Sequence, residues 1–203
     1  MKLVYIIGGM CSGKSSVLRT FEKLGACTID FDIWAKEILN SNCSFEIFKS
    51  TEFEQFFNKS GLSDKVGFSD YIFQDKETVL RYNEIFFPIV KSKLDAYLNG
   101  LDTDFVVIEY SAWNGTPRQC DIFLSDADFV VGVVCDEKTK FERAENKFGF
   151  AYGYSIRAAL QPSPEIMRLQ CDYVIDNSGD KEVLERECKK LWTKCCEWLC
   201  AIR

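Results

Sequence analysis

The sequence contains no histidine. Every mechanism that needs an imidazole is thereby excluded, Ser-His-Asp catalysis included. Only four of the 203 residues are proline, and no low-complexity run or internal repeat occurs, which excludes disordered and fibrous classes. No run of about 20 apolar residues is present to cross a membrane. The apolar start, residues 1–9, leads into glycines and polar residues rather than a cleavage site. The chain is accordingly read as cytoplasmic, with no membrane partner. Sustained basic stretches are missing as well: 25 Lys and Arg stand against 31 Asp and Glu, a net charge of −6. A nucleic-acid partner, which needs a broad basic footprint, is not expected. A small anionic ligand needs only a local cluster of cations and stays open.

What is abundant is cysteine, at ten residues. A secreted chain would use them as a disulfide framework, but no secretory signal is present and the chain is long enough to fold without staples. No C-x-x-C pair exists, and without histidine a thiol-based zinc site lacks its usual partner ligands. Cys195, Cys196 and Cys200 fall on one predicted C-terminal helix, where Leu184, Cys188, Leu191, Cys195 and Leu199 recur at helical spacing. Core packing is the expected role of that stripe, with a partner surface as the alternative. The sequence does not fix an oligomeric state.

A length of 203 residues fits one domain, or one domain carrying a smaller insert, and a hydrophobic share of 47% is ordinary for a globular chain. Residues 2–7 read as a buried parallel strand, followed by glycines, a helix over 15–24 and a second strand over 26–30. Residues 33–58, rich in phenylalanine, are predicted helical, and 60–67 a loop. Residues 69–99 are predicted as helices broken at Pro88. Further strands are expected at 105–108, 128–135 and 171–175, with helices at 137–149, 154–160 and 181–202 and a break at 162–164. Strands separated by helices imply an α/β fold with a parallel sheet. The stretch 33–100 shows no clear strand and reads as a helical insert beside it.

Gly8, Gly9, Met10, Cys11, Ser12, Gly13, Lys14 and Ser15 fit G-x-x-x-x-G-K-[ST], after a strand and before a helix. Glycines let such a loop curl its amides toward phosphate oxygens, and the following helix adds its positive end. Lys14 reaches the β- and γ-phosphates, and the Ser15 hydroxyl ligates Mg²⁺; Ser16 adds to the same turn. A nucleoside triphosphate is the implied ligand. Asp32, at the carboxyl end of the second strand, is either an acidic base for an acceptor hydroxyl or an N-cap. Glu109 closes the third apolar run, as a carboxylate that holds magnesium through water or as a plain strand-end charge. Arg143 and Lys147, four apart on one helix face, are cations for the transferring phosphoryl group or a solvated basic face; Arg157 follows them.

With these residues in place the chain resembles the dephospho-coenzyme A kinase family from Lys2 to about Trp192. The landmarks fall in order: the phosphate loop, Phe21-Glu22-Lys23-Leu24-Gly25-Ala26, Ile29-Asp30-Phe31-Asp32, Ile72-Phe73, 105–109, 143–149, Gln161, and Cys171-Asp172-Tyr173-Val174-Ile175-Asp176-Asn177-Ser178-Gly179. The resemblance implies a P-loop kinase three-layer α/β fold with a central parallel sheet, a helical substrate-side insert and a lid over about 138–165. It implies ATP and Mg²⁺ as cofactors, and dephospho-CoA as a small-molecule acceptor phosphorylated on its ribose 3′-hydroxyl. It makes Asp32 the general base, places Arg143 in the lid near the phosphates, and puts Asp176 and Asn177 near the adenine through backbone contacts. The chain departs from the family on the acceptor side. Phe87-Pro88 stands for His-Pro, and Val66 and Ser69 stand where Arg is usual. Ser111-Ala112-Trp113-Asn114-Gly115 follows the middle strand, Lys147 replaces a second lid Arg, and Met167 replaces a Lys. Another nucleoside or nucleotide acceptor, or ATP binding without transfer, are the alternatives those departures raise.

Overall fold

A computed structural model describes residues 1–148, 158 and 161–200. They contain β1 (Lys2–Gly8), α1 (Lys14–Lys23), β2 (Cys27–Asp30), α2 (Phe31–Leu39), α3 (Cys43–Phe48), β3 (Phe57–Asn58), β4 (Gly61–Leu62), α4 (Lys65–Ile72) and α5 (Lys76–Asn99). They continue with β5 (Phe105–Glu109), β6 (Phe129–Val134), α6 (Glu137–Phe148), α7 (Pro164–Gln170), β7 (Tyr173–Asp176) and α8 (Lys181–Cys200). The chain divides into two compact units, Met1–Phe31 with Thr103–Arg203, and Asp32–Asp102.

The first unit is built on a parallel five-stranded sheet in the order β2-β5-β1-β6-β7. Its central strands are almost wholly buried and read as continuous Val/Ile runs, as parallel sheets covered on both faces require. Alternate residues of β1 serve the two faces. Val4 and Ile6 join Val17 and Phe21 of α1 and Leu184, Cys188, Leu191 and Cys195 of α8 in one apolar core. Tyr5 points the other way, its ring edge-on to Tyr110 at 6.3 Å. Four of the five residues expected on the C-terminal stripe thus pack inward, and the fifth, Leu199, has its side chain outside the described residues. Because β5 and β6 flank β1 on opposite sides, the carboxyl end of β1 is a topological switch point, where open α/β sheets bind ligands.

The second unit is helical around an aromatic core: Phe48, Phe53, Phe57, Phe68 and Phe86 are all buried. Phe48 stacks on Phe57 at 4.5 Å and on Tyr82 at 5.9 Å. Two expectations differ from the structure. Residues 33–58 are not one helix: α2 ends where Ser41 Oγ donates to the Ile38 carbonyl at 2.6 Å, and Ser50 adopts a φ of 63°. Such side-chain-to-backbone bonds compete with helix continuation, and the aromatic-rich tail becomes a 3₁₀ turn and the β3-β4 hairpin, which also occupies part of the expected loop at 60–67. Pro88 does not break α5: Phe86, Val90, Leu94 and Leu98 are buried on both sides of it, and that packing outweighs the lost hydrogen bond. The break expected at 162–164 is present at Pro162 and Ser163, and it ends where Ser163 caps α7 with Pro164 in its first turn. The helix expected at 154–160, Arg157 with it, and much of the expected lid lie outside the described residues.

Candidate nucleotide-phosphate site

The candidate site is assembled at the carboxyl ends of β1, β5 and β7. After Gly8 the chain turns through Gly9–Gly13 into α1. A Cβ on Gly8 would lie 2.5 Å from the Val133 carbonyl oxygen. Gly13, at φ +98°, could not carry one without striking the Asn177 amide. These two positions show why this turn demands glycine. Cys11 adopts a φ of 60° in the same loop.

Lys14 is buried, its ammonium donating to the Gly8 and Gly9 carbonyls at 2.9 and 3.1 Å. Ser12 Oγ is buried and has no hydrogen-bond partner among the described residues, a cost a ligand oxygen would relieve. Ser15 Oγ donates to Glu109 Oε1 at 3.1 Å. Glu109 is buried, and in register Asp30 of β2 lies beside it. One hydroxyl and one buried carboxylate are hard oxygen donors of the kind that would suit Mg²⁺. Among the described residues no group of three or more Cys, Asp or Glu side chains forms a metal cage by itself.

Helix α6 brings the cations. Arg143 donates to the Asn177 carbonyl at 2.9 Å and, more weakly, to the Ser12 carbonyl at 3.4 Å. Asn177 Nδ2 donates to the same Ser12 oxygen at 2.7 Å. Burial pushes the Cys11 thiol up, against the opposing charges of Lys147, Lys14 and Arg143, so it stays a thiol while registering all three cations. A cleft of about 360 Å³ opens beside the loop, lined by Gly13, Ser16, Thr20, Arg143, Asn177 and Gly179 among others.

Of the residues singled out from sequence, Gly8, Gly9, Met10, Cys11, Ser12, Gly13, Lys14, Ser15, Ser16, Glu109, Arg143, Lys147 and Asn177 come together here. Asn177 acts by its side chain, as a brace on Ser12, and it also borders the cleft. Asp176 is exposed, accepts from Ser178 N at 3.0 Å and is not among the cleft's lining residues. Asp32 belongs to the other unit and is exposed in the first turn of α2. That helix starts at Phe31, so Asp32 is past the capping position. Its charge, together with burial as the larger cause, pushes the Tyr82 hydroxyl up.

Two contacts were not foreseen. Gln161 Oε1 accepts from Met10 N at 2.5 Å, and Lys140 is buried close to Gly9. Gln161 stands out in sequence only as a family landmark; Lys140 is signalled by its place three residues before Arg143.

The profile of the dephospho-CoA kinase family matches residues 2–182. The dephospho-CoA kinase of Clostridium perfringens is 29% identical over 182 residues, covering 87% of this chain and 89% of its own. That of Thermobifida fusca is 29% identical over 196 residues, covering 95% of each. Among solved structures, the dephospho-CoA kinase from Campylobacter jejuni superposes with a TM-score of 0.65 at 18% identity, covering 96% of this chain and 98% of that one. With its phosphate loop, its parallel sheet and a profile match over nearly its whole length, the chain belongs to the dephospho-CoA kinase family of ATP-dependent phosphotransferases.

Proposed function

We propose that the protein transfers the γ-phosphoryl group of ATP to the ribose 3′-hydroxyl of dephospho-CoA. The observation that carries the reading is the phosphate loop: Lys14 folded onto the Gly8 and Gly9 carbonyls, with Ser15 on Glu109, in a chain of this family. Phosphoryl transfer asks a protein mainly for positioning and charge neutralisation. The loop amides and Lys14 bind the β- and γ-phosphates, Lys14 leaving the two carbonyls as the phosphate arrives. Arg143 and Lys147 neutralise charge on the phosphate chain. The cleft bordered by Asn177 and Gly179 takes the nucleoside. Asp32 accepts the proton of the acceptor hydroxyl. Ser15 and Glu109 would hold Mg²⁺, which supplies charge neutralisation on phosphate oxygens.

The test mixes the protein with Mg-ATP and dephospho-CoA and follows ADP and CoA together. Equal amounts of ADP and CoA are expected. ADP without CoA would overturn the acceptor assignment and direct the search to other nucleosides and nucleotides. ATP binding with no ADP release would overturn the transferase assignment itself.

A further inference from the structure

Helix α6 carries more positive charge toward the phosphate loop than the pair Arg143 and Lys147. Lys140 is only 7% exposed. Lysine is almost never buried this far without a partner. Its partner is Glu137, at 2.7 Å from Nζ, and that carboxylate side chain is 75% exposed. An ion pair with so solvated a partner contributes little, and it uses one of the three N–H donors of the ammonium. Anchoring to Glu137 alone does not require the head group to lie where it does. Above Gly9, a Cβ would sit 3.3 Å from Gln161 Oε1, 3.7 Å from Lys140 Nζ and 3.8 Å from Lys140 Cε. The space left by the missing side chain is therefore bounded by a cation and by an amide oxygen already committed to Met10 N.

The loop has a direction. Its Gly13 end opens on the cleft that takes the nucleoside in the reading above. At its other end Lys14 rests on the Gly8 and Gly9 carbonyls, and this lysine is the one that reaches the outer phosphates in such loops. Arg143 reaches Ser12 and Asn177, near the nucleoside end. Lys140 sits at Gly9, the outer end. Residues 140, 143 and 147 share one face of α6, which brings Lys140 to Gly9, Arg143 to Ser12 and the charge of Lys147 toward Cys11.

We propose that Lys140 is a further substrate-binding cation, whose ammonium contacts the terminal phosphoryl group of the nucleoside triphosphate. It rests on the reading of the loop as an ATP site and adds discrimination between tri- and diphosphate.

The test is equilibrium binding of Mg-ATP and Mg-ADP, without acceptor, to the full chain and to K140Q. Losing one charge-assisted contact weakens binding by about tenfold. K140Q should lose that factor for ATP and keep its ADP affinity, and K140R should keep the ATP preference of the parent protein. Unchanged ATP affinity in K140Q would overturn the proposal. So would an equal loss for both nucleotides, the mark of a lysine that merely props α6. Should K140Q not fold, K140R identifies the Lys140 ε-methylene NMR signal of the unaltered protein. That signal should move with ATP and not with ADP; no response to ATP overturns the assignment. A protein that makes no CoA refutes the acceptor assignment and leaves this comparison of ATP with ADP intact.

Discussion

At the scale of single residues, the roles of Asp32 and Gly13 separate chemistry from binding. Asp32 is exposed, and in the proposed mechanism it meets the acceptor hydroxyl and not the nucleotide. D32N should therefore lower kcat by about 10²- to 10⁴-fold, the usual worth of a general base, with the Kd for ATP unchanged. A variant that transfers at full rate would remove Asp32 from the mechanism. Gly13 behaves in the opposite way. Its φ of +98° disfavours any side chain, and a Cβ would displace the Asn177 amide from Ser12. G13A should fold, with a loss of about 1–3 kcal/mol for the forced backbone, and should bind both ATP and ADP poorly. Calorimetric titration and a thermal melt together check it; normal nucleotide affinity would mean the loop tolerates losing its Asn177 brace.

Among the elements, those legible in the sequence are those whose signals are local. β1, the glycine loop and α1 announce themselves through an apolar run, a fixed glycine spacing and a 3.6-residue period. The aromatic segment misleads because Phe45, Phe48, Phe53 and Phe56 fall at spacings a helix could use, while the hydroxyl-to-backbone bonds that end the helices carry no periodic signal. Pro88 misleads because only tertiary packing of α5 decides against a break. Lys140 stayed unread because a lysine on a charged helix looks solvated until the fold lays that helix along the loop. Helix α5 also offers a test of its start. Asp75 accepts from Thr78 N at 2.7 Å, and that amide holds its carboxyl below the usual 3.8. A lowered folded pKa contributes stability that is complete above the unfolded value and is lost as pH falls through the folded one. D75N keeps a capping oxygen and does not titrate. The melting advantage of the parent protein over D75N should therefore shrink as pH drops below 3.8. Thermal melts followed by circular dichroism at pH 6 and pH 3 read it directly, and a constant difference would show that the cap does not titrate with folding.

For the whole molecule, the division into two units assigns separate duties. Every residue placed around the phosphate chain, from Gly8 to Ser16 with Glu109, Lys140, Arg143, Lys147 and Asn177, belongs to the unit built on the parallel sheet. Asp32 and the aromatic core belong to the other. Phe48 is fully buried there and meets Phe53, Phe57, Phe68, Tyr82 and Phe86 within about 6 Å. Removing such a ring costs about 3–5 kcal/mol, partly as a cavity, and the loss falls on a unit with its own core. F48A should consequently lose CoA formation while binding ADP within about threefold of the parent protein, well under one tenfold step in affinity, since the residues placed around the phosphates belong to the unit with its own separate core. Titration of ADP beside the coupled CoA assay distinguishes the cases. Parallel loss of both would mean that the helical unit supports the phosphate loop. Retention of both would mean that the acceptor chemistry does not depend on that aromatic core.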